Sequence, residues 1–593
     1  MEEPKRLFDF PYYQLANYPR EDALVTKYNG KWEKTSTQSF IDQGYALSKG
    51  LLKLGVKPGD KIAIISANNR TEWNICDLGI LQIGAIDVPV YPTISEADYK
   101  FIFNDAEVTF CFVSNEELFT KVNHIIDEVP TLKKIYSFDQ VDGCDHWSEV
   151  LKLGQDGDNS EVEKIKGTIM EDDLATLIYT SGTTGTPKGV MLSHKNIASN
   201  AKASRPRLPV NQDARGLSFL PLCHIYERML IYLYNYTGVA LYYAESLETI
   251  GDNMREVKPH VFTAVPRLLE KVFDKIMAKG ADLSGIKKAL FFWAVNLGYE
   301  YDIHGKSGWY KFQLNIARKL IFSKWMEALG GEVKAVASGS AALNPRLARV
   351  FLAAGINIQE GYGLTETSPV VAVNCPMDDG TRIGTVGRPL KDVEVKIAAD
   401  GEILVKGPNV MMGYYKRPDL TAQVIDEDGW FHTGDIGEMV EGEYLKITDR
   451  KKEIFKTSGG KYVAPQIMEN AFKESHFIEN IMVIGEGEKH PAAFIQPDFT
   501  FLKSWCKRKN IPFNSEKEII KDQRVIDRIQ KEVDIHNKDF GHWEQVKRFA
   551  LTPDVWSIDG GQLTPTLKLK RRNILSSYPD LYKDIYGHTP DER

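Results

Sequence analysis

The sequence predicts an α/β protein: a large N-terminal domain of several subdomains, with parallel and mixed sheets, followed by a small α+β domain. The chain has 593 residues, more than one hydrophobic core accommodates. Short apolar runs alternate with helix-like stretches, and after about Gly384 short strand-like runs separated by Gly and Pro replace them. With 43% hydrophobic and 26% charged residues, the composition is globular and excludes long disorder.

The N-terminal part has the strand, helix, strand order of α/β sheets. An apolar run at 61–66 precedes a helix-like stretch at 72–84 and a second apolar run at 86–91. Further strand candidates lie at 174–178, 239–243, 261–265 and 333–337. This alternation predicts buried, largely parallel sheets.

The segments VEVKIA, GEILVKG and EYLKITD, all after Gly384, predict a smaller β-rich subdomain. After the charge cluster at 449–452, the pattern is that of a compact α+β domain. Its candidate elements are a helix at 465–474, strands at 481–485 and 492–496, a charged helix at 517–538 and a strand at 547–551. We therefore expect one domain over residues 1–450 and a second over 451–593.

Charge and cysteine usage exclude several classes of protein. Lys and Arg total 74 and Asp and Glu total 81, so the net charge of −7 argues against a general nucleic-acid binder. The six cysteines form no CxxC pair, which disfavours a disulfide framework or zinc module and favours the reducing cytoplasm. No segment is typical of a signal peptide or a membrane span. Peripheral contact with the inner face of the cell membrane stays open, as does a homodimer.

The clearest chemical signal is TSGTTGTPKG at 180–189, directly after a strand candidate. Glycines let successive N–H groups face one anion, hydroxyls add donors and a lysine adds charge, which together suit a polyphosphate. The spacing does not fit a Walker A motif, and the alternative is an ordinary flexible turn. The candidate phosphate ligands in this segment are Thr180, Ser181, Gly182, Thr183, Thr184, Gly185 and Lys188.

Two later segments carry further candidate ligands. In GYGLTET, Tyr362 between glycines can present its ring to a nucleobase, and Glu366 offers a hard oxygen ligand for magnesium. In WFHTGD, Asp435 can accept hydrogen bonds from both hydroxyls of a ribose, and Arg450 follows 15 residues later. Taken singly, each of these residues has an ordinary alternative as core, turn or solvated surface.

These motifs, in this order, resemble the adenylate-forming superfamily of acyl-CoA synthetases, adenylation domains and luciferases. TSGTTGTPKG is similar to its phosphate loop. The other matching segments are SGSAA at 338–342, GYGLTET at 361–367, GWFHTGD at 429–435, DRKKE at 449–453, SGGK at 458–461 and LTPTLK at 563–568. The form of PLCHIYER at 221–228 and of SGGKYVAPQIMEN at 458–470 resembles bacterial long-chain fatty acid:CoA ligases.

The resemblance implies ATP-dependent conversion of a long-chain fatty acid to acyl-AMP, followed by transfer of the acyl group to CoA. It places Tyr362 on adenine, Thr365 at the α-phosphate, Asp435 with Arg450 at the ribose, and Glu366 with Thr184 at Mg²⁺. The other nucleotide-binding positions that it implies are Gly339, Ser340, Ala341, Glu360, Gly361 and Gly363.

A C-terminal lysine is expected to stabilise the charge that develops when a carboxylate attacks the α-phosphate of ATP. Lys568 falls in register with the family lysine. The family usually has glycine before that lysine, whereas this chain has Leu567, so Lys570 stays an alternative. Without the other motifs, the basic segment LKLKRR at 567–572 would be interpreted as a solvated tail.

The resemblance also implies that the small domain is mobile and rotates about a hinge near 449–453 between the two half-reactions. Lys452 occupies the hinge position. After rotation, Lys456, Gly459 and Gly460 would serve the second step with CoA.

Substrate choice is expected to depend on residues between Arg215 and Gly363. His224 could shape the acyl entrance or be an ordinary structural histidine. The helical, aromatic-rich stretch at 283–330 resembles the long-chain branch, in which an apolar tunnel would select chain length because each buried CH₂ contributes about 0.8 kcal/mol. The alternative is that these aromatics fill an ordinary core.

Two other functions stay open: transfer of the acyl group to a carrier-protein thiol, and a non-catalytic lipid-binding scaffold on the same fold. The second is disfavoured because binding alone would not need Lys568, Glu366, Asp435 and a complete phosphate loop.

Overall fold

The protein is seen in a computed structural model that describes residues 2–181, 186–377, 379–451, 453–558, 560–564 and 568–592. The chain divides into two compact units. The first contains Met1–Lys396, Leu404–Thr433 and Met439–Lys446, and the second contains Ile397–Ile403, Gly434–Glu438 and Ile447–Arg593. This division reflects compactness and does not test independent movement, so the predicted domains 1–450 and 451–593 stay a prediction.

The helices and strands follow one another in short alternating segments. Up to residue 181 they are α1 (Asp9–Asn17), β1 (Leu24–Tyr28), β2 (Lys31–Thr35), α2 (Thr37–Lys53), β3 (Lys61–Ile65), α3 (Thr71–Leu81), β4 (Ile86–Pro89), α4 (Glu96–Ala106), β5 (Val108–Val113), α5 (Glu116–His124), β6 (Lys134–Ser137), β7 (Asp145–His146), α6 (Ser148–Gln155), α7 (Ser160–Lys166) and β8 (Leu174–Ser181). From residue 186 to 377 they are β9 (Pro187–Ser193), α8 (His194–Ser204), β10 (Arg215–Ser218), α9 (Ile225–Thr237), β11 (Ala240–Tyr243), α10 (Ile250–Val257), β12 (Val261–Ala264), α11 (Pro266–Ala281), α12 (Gly285–Tyr299), α13 (Gly308–Ala317), α14 (Ser323–Ala328), β13 (Ala335–Ser338), α15 (Pro345–Ala353), β14 (Ile358–Gly363) and β15 (Val370–Val373). From residue 379 on they are β16 (Arg388–Pro389), β17 (Glu394–Ile397), β18 (Glu402–Lys406), β19 (Gly413–Tyr414), α16 (Pro418–Thr421), β20 (Phe431–Val440), β21 (Tyr444–Arg450), β22 (Phe455–Lys456), β23 (Tyr462–Val463), α17 (Pro465–Phe472), β24 (Ile478–Ile484), β25 (Ala492–Pro497), α18 (Phe499–Arg508), α19 (Glu516–Ile519), α20 (Gln523–His536), β26 (Arg548–Leu551), α21 (Arg571–Ser577) and α22 (Pro579–Tyr586).

One sheet of the first unit has the strand order β19-β9-β8-β4-β3-β5-β6-β7. From β8 to β7 neighbouring strands are parallel, whereas β8, β9 and β19 pair antiparallel. Strand β3 is apolar along almost its whole length and buried, as expected for a parallel strand covered on both faces. The predicted α/β class with parallel and mixed sheets is confirmed.

The second large sheet has the order β16-β15-β14-β13-β12-β10-β11-β1-β2. Its centre, from β14 to β1, is parallel, and its margins are antiparallel. Helices α11 to α15 belong to the apolar core beside this sheet, which includes Phe291, Tyr310 and Trp325 from the aromatic-rich stretch. Those three aromatics therefore fill a core, while Trp309 is 69% exposed.

In the second unit, β24 pairs antiparallel with β25, and β25 pairs parallel with β26. Helices α17, α18 and α20 contribute Phe472, Leu502 and Ile529 to the core beside these strands. Two smaller sheets have the orders β17-β18-β20-β21 and β22-β23. Among the described residues, no helix is long and apolar enough to cross a membrane.

All six cysteines are free. Cys144 is partly exposed, and the others are buried. Burial raises the pKa of several of the thiols, which are those of Cys76, Cys111, Cys144, Cys223 and Cys506.

Candidate active site

Three of the predicted motifs of the first unit lie at one edge of its second sheet. Strands β10, β12, β13 and β14 are parallel, so their carboxyl ends lie at the same edge. Ser338 pairs with Ala264 on one side and with Glu360 on the other. The segments after these strands therefore emerge side by side, at the position where open α/β sheets bind ligands.

Close contacts join three of these segments. A Cβ atom at Gly339 would lie 3.4 Å from Cζ of Tyr226 and 3.6 Å from the carbonyl oxygen of Gly361. Ser340 follows with a φ of 70°, in the left-handed region, and Ala341 is exposed. The SGSAA, PLCHIYER and GYGLTET motifs are thus brought together, although they are far apart in the sequence.

Two buried polar groups lie where β13 and β14 end. Glu360 accepts a hydrogen bond from the backbone N–H of Leu343, and burial raises the pKa of its carboxyl to about 8. This carboxyl therefore holds a proton at neutral pH. The hydroxyl of Ser338 is buried and has no hydrogen-bond partner among the described residues, which is unusual for a buried polar group.

The phosphate-loop segment forms the β8–β9 hairpin, in which Thr180 pairs with Lys188. The predicted ligands Gly182, Thr183, Thr184 and Gly185 lie outside the described residues, as does the side chain of Ser181. The ammonium of Lys188 lies 4.4 Å from the ring centroid of Tyr414. Strand β19 carries Tyr414 and pairs with β9, which explains the contact.

Tyr414 also binds the predicted metal ligand. Its hydroxyl donates a hydrogen bond of 2.9 Å to Oε1 of Glu366, and the backbone carbonyl of Glu366 accepts one of 2.8 Å from the N–H of Met411. Burial raises the pKa of Tyr414 well above its usual value, so the phenol stays a donor. Lys188, Tyr414 and Glu366 therefore form one cluster, which we call the Lys188–Tyr414–Glu366 cluster.

The turn that carries Glu366 is tightly built. A Cβ atom at Gly363 would lie 1.8 Å from the carbonyl oxygen of Pro369, so only glycine fits there. The hydroxyl of Thr367 accepts a hydrogen bond of 2.9 Å from the N–H of Leu364 and donates one of 2.5 Å to Pro369. Between these anchors, Thr365 is buried and Tyr362 is partly exposed.

His224 caps helix α9 at the same edge of the sheet. Its Nδ1 accepts a hydrogen bond of 3.2 Å from the N–H of Tyr226, and its ring centroid lies 6.5 Å from that of Tyr91. This cap gives His224 a structural task. Its predicted part at the acyl entrance is not tested by these contacts.

A buried ionic network lies in helix α9 after His224. The guanidinium of Arg228 is fully buried and lies 2.5 Å from Asp77 and 3.0 Å from Asp87. It also donates a hydrogen bond of 2.7 Å to Thr176, and Tyr232 donates one of 2.6 Å to Asp77. These contacts join helix α9 to helix α3 and to strands β4 and β8 of the first large sheet.

In the second unit, Arg450 and Asp435 lie on neighbouring strands. Nε of Arg450 is 3.4 Å from Oδ1 of Asp435, and the Asp435 carboxylate is largely buried. The structure therefore brings together the two residues that the resemblance assigned to the ribose. Next to them, burial raises the pKa of Asp449 to about 7.

The remaining predicted residues of this unit are near the surface. Lys456 is exposed, with its ammonium 4.6 Å from the ring centroid of Tyr462. Gly459 and Gly460 form the following turn, with a φ of 74° at Gly460. The predicted hinge residue Lys452 lies outside the described residues.

The C-terminal lysine segment is only partly described, because residues 565–567 are outside the described ranges. The backbone N–H of Lys568 donates a hydrogen bond of 3.0 Å to the hydroxyl of Thr564, and its carbonyl accepts one of 2.8 Å from the N–H of Thr564. The side chain of Lys568 is exposed, and Lys570 is partly buried. This geometry does not choose between the two lysines.

Sequence reasoning missed two residues that hold these segments. Tyr414 stands in MMGYYKRP, where nothing marks one tyrosine above its neighbour. The sequence marks Arg571 only as one of several basic residues at 568–572, but it lies 2.6 Å from Glu469 and 3.2 Å from Glu453. Both contacts join residues far apart in the sequence, so no local pattern could have shown them.

Two large, mostly parallel sheets with polar motifs at the carboxyl ends of their strands have the arrangement that nucleotide-binding α/β enzymes use. The profile of the family described as AMP-binding enzyme matches residues 12–415. The chain belongs to this family of adenylate-forming enzymes.

Curated relatives cover almost the whole chain. Long-chain-fatty-acid--CoA ligase FadD15 of Mycobacterium tuberculosis is 32% identical over 566 residues, which is 94% of this chain and 93% of that protein. Long-chain-fatty-acid--CoA ligase 1 of Homo sapiens is 32% identical over 594 residues, covering 94% of this chain and 83% of that protein.

Solved structures share the fold at lower identity. The anthranilate CoA ligase AuaEII in complex with anthranoyl-AMP has a TM-score of 0.70 at 18% identity, covering 96% of this chain and 97% of that one. The Mycobacterium tuberculosis fatty acyl CoA synthetase has a TM-score of 0.64 at 20% identity, covering 97% and 98%. These similarities establish the fold alone.

Proposed function

We propose that the protein activates a long-chain fatty acid with ATP and transfers the acyl group to CoA. The observation that carries the proposal is the Lys188–Tyr414–Glu366 cluster, which combines a cation and a hard oxygen ligand beside the phosphate-loop hairpin. The curated relatives named long-chain-fatty-acid--CoA ligases support the substrate class.

In the first half-reaction, the fatty acid carboxylate attacks the α-phosphorus of ATP, and pyrophosphate leaves. Lys188, with the N–H groups and hydroxyls proposed for Thr180 to Gly185, would hold the phosphates. Thr365 would contact the α-phosphate, and Lys568 would offset the charge that accumulates in the transition state. These groups position the reactants, and no side chain forms a covalent bond to the substrate.

Mg²⁺ is the metal that this reaction would use, and Glu366 fits it. Magnesium in nucleotide sites is usually held by one or two carboxylates together with phosphates and water. Among the described residues no group of three or more His, Cys, Asp or Glu side chains could hold a metal, so the substrate phosphates would supply the other ligands. We propose Glu366 and Thr184 as the protein ligands. When bound, the ion would neutralise charge on the phosphate oxygens.

For the nucleoside, we propose that Tyr362 stacks on adenine and that Asp435 and Arg450 bind the ribose. The backbone of Gly339, Ser340, Ala341, Gly361 and Gly363 would line the nucleotide. Glu360 holds its proton at neutral pH, so it would act there as a hydrogen-bond donor and not as an anion. This neutrality matters beside the negative phosphates, because an ionised carboxylate there would repel them.

In the second half-reaction, the CoA thiol attacks the acyl carbon and AMP leaves. We propose that Lys456, Gly459 and Gly460 serve this step after the small domain rotates about a hinge at 449–453, with Lys452 at its centre. His224 is our candidate for shaping the acyl entrance. A cytoplasmic location, peripheral contact with the inner face of the membrane and a homodimer belong to this proposal as well.

The test is product analysis by mass spectrometry after incubation with MgATP, CoA and an equimolar mixture of acids from acetate to octadecanoate, with benzoate included. We expect long-chain acyl-CoA and AMP. Short-chain or benzoyl products would contradict the long-chain assignment. Acyl-AMP without thioester would favour a carrier-protein acceptor, and no adenylate at all would favour a lipid-binding scaffold.

Lys568→Ala and Lys570→Ala form a matched pair for the catalytic lysine. Loss of a well-placed transition-state group costs about a hundredfold to a thousandfold in rate, so Lys568→Ala should suppress acyl-AMP formation and retain ATP binding. Lys570→Ala should stay near the unmodified rate. The reverse result would assign the step to Lys570.

A further inference from the structure

A buried asparagine joins the two large sheets of the first unit. Asn69 lies in the loop between strand β3 of the first large sheet and helix α3. Its Nδ2 donates a hydrogen bond of 2.8 Å to the hydroxyl of Ser218 and one of 2.7 Å to the carbonyl of Leu220. Its Oδ1 accepts one of 3.3 Å from the N–H of Leu222. One side chain therefore fixes three points at the end of strand β10 of the second large sheet and just beyond it.

The loop that carries this asparagine is itself anchored on both sides. Before it, the N–H of Ala67 donates a hydrogen bond of 3.0 Å to the hydroxyl of Ser114. After it, the guanidinium of Arg70 lies 2.6 Å from Glu72 and 2.8 Å from Asp139. The asparagine is thus a fixed point of the first large sheet from which the other segment is held.

A buried carboxyl group extends the contact. The hydroxyl of Ser218, which accepts from Asn69, donates a hydrogen bond of 2.5 Å to Oε1 of Glu227 in helix α9. Glu227 also accepts a hydrogen bond from the hydroxyl of Thr263, which belongs to strand β12. Ser218 and Glu227 are both buried. A continuous line of hydrogen bonds therefore runs from the first large sheet through the end of β10 to α9 and β12.

The segment held in this way is the loop at 219–224, which connects β10 to α9 and contains the start of the PLCHIYER motif. His224, our candidate for the acyl entrance, is its last residue. Two residues later, Cζ of Tyr226 would lie 3.4 Å from a Cβ atom at Gly339. Beyond the loop, Arg228 lies 3.0 Å from Asp87 on strand β4. The first large sheet therefore fixes this segment both before and after His224.

We propose that Asn69 is a positioning residue for acyl-AMP formation, which holds the acid-binding loop at 219–224 in place relative to the phosphate site. The phosphate-loop hairpin with Lys188 belongs to the first large sheet, whereas strand β10 belongs to the second. Attack on ATP requires that the carboxylate and the α-phosphorus are aligned, and a small displacement of a bound reactant lowers the rate steeply. Asn69 would act through the backbone that it holds.

This inference rests on the proposed function, because it assumes that an acid and ATP react between the two sheets. ATP–pyrophosphate exchange by the unmodified protein tests the function, whereas the effect of a substitution at Asn69 on that exchange tests the inference. No exchange with any acid would overturn both. Normal exchange that a substitution at Asn69 leaves unchanged would overturn the inference alone.

The experiment measures the exchange rate of the whole protein as a function of the acid and ATP concentrations, with the acid that the unmodified protein activates best. Asn69→Ala should raise the KM for the acid about tenfold or more, since it removes three hydrogen bonds that each contribute about fivefold. The KM for ATP should stay within about twofold, because the phosphate-loop hairpin is unchanged. A merely structural role would lower the folded fraction and the maximal rate, but neither KM.

Ser218→Ala is the second variant, and it keeps the proposal testable if Asn69→Ala does not fold. It removes the hydroxyl that Asn69 binds and should raise the KM for the acid about threefold to fivefold. Added to Asn69→Ala, it should raise this KM by a smaller factor than it does alone, since both substitutions break the same hydrogen bond.

Asn68→Ala is the matched control, because Asn68 is the exposed neighbour in the same loop. It should leave both KM values and the maximal rate unchanged. The proposal would be overturned by an unchanged KM for the acid in Asn69→Ala and Ser218→Ala, or by an equal rise in the KM for ATP. An effect of the same size in Asn68→Ala would also overturn it.

Discussion

The Tyr414 hydroxyl lies 2.9 Å from Oε1 of Glu366 and donates a hydrogen bond to it. The same ring faces the ammonium of Lys188, so one buried tyrosine orients both a carboxylate and a cation of the candidate site. Both contacts are to side chains that the proposed reaction uses. Its contribution to the proposed reaction would be to position Glu366.

Tyr414→Phe should therefore slow acyl-AMP formation by about tenfold, because a hydrogen bond to a charged group contributes about 1.5 kcal/mol. ATP–pyrophosphate exchange would measure the rate, and the Mg²⁺ concentration at half-maximal exchange should rise. Tyr415→Phe removes the neighbouring hydroxyl and should change neither quantity. Equal behaviour of the two variants would contradict the positioning role.

The raised pKa of the Glu360 carboxyl predicts that the stability of the protein depends on pH. Burial raises the pKa of its carboxyl from 4.5 to about 8. Between these values the folded chain keeps a proton that the unfolded chain has lost, so the contribution of Glu360 to stability falls as the pH rises. Glu360→Gln removes this contribution. The free energy of unfolding of the variant minus that of the unmodified protein should increase by up to about 1.4 kcal/mol for each pH unit between pH 4.5 and about 8.

Urea unfolding at pH 5.5 and 7.5 would measure this difference. Glu161→Gln is the control, because Glu161 is exposed on helix α7 and its substitution should give the same difference at both pH values. A pH-independent effect of Glu360→Gln would show that Glu360 is ionised in the folded protein.

Gly363→Ala should disrupt the turn that carries Glu366. The added Cβ would lie 1.8 Å from a backbone oxygen, and overpacking of this kind costs about 3 kcal/mol or more. The melting temperature and the affinity for AMP should both fall. Gly251→Ala is the matched control, since nothing lies within 4 Å of a Cβ at this position in helix α10. It should be neutral or stabilising by up to about 1 kcal/mol, and a similar loss in both variants would contradict the steric explanation.

Arg228→Met should destabilise the first unit by about 3 to 5 kcal/mol, because it leaves Asp77 and Asp87 buried without their cation. Thermal unfolding would measure the loss. Combining Arg228→Met with Asp77→Asn and Asp87→Asn should restore much of the stability, since the unpaired charges are then absent. No recovery in the triple variant would mean that the guanidinium stabilises by packing instead of charge.

Local patterns were sufficient to predict the α/β sheets, whereas the roles assigned to the site residues stay predictions. The apolar run at 61–66 predicted β3, which the structure has at Lys61–Ile65. What the sequence could not predict are contacts between distant residues: Tyr414 is 48 positions from Glu366, and Arg571 is 102 positions from Glu469. Such pairs are formed by the topology of the chain, and the residues between them carry no periodic signal for the contact.

The helical stretch at 283–330 shows the same limit. Its aromatic content predicted apolar surface but not which side chains are covered. Phe291 and Trp325 are buried whereas Trp309 is exposed. Whether an aromatic side chain is buried or exposed depends on which side of its helix packs against the sheet.

The six native thiols give the protein a practical property. A thiol reacts as the thiolate, and both burial and a raised pKa suppress that form. Even the partly exposed Cys144 has its pKa raised to about 11. An additional cysteine at an exposed position would therefore be the most reactive thiol of the chain, and a maleimide fluorophore should attach to it selectively without removal of the native six. With one such dye in each compact unit, energy transfer between the dyes would report the predicted rotation directly, turnover by turnover, in the otherwise unaltered sequence.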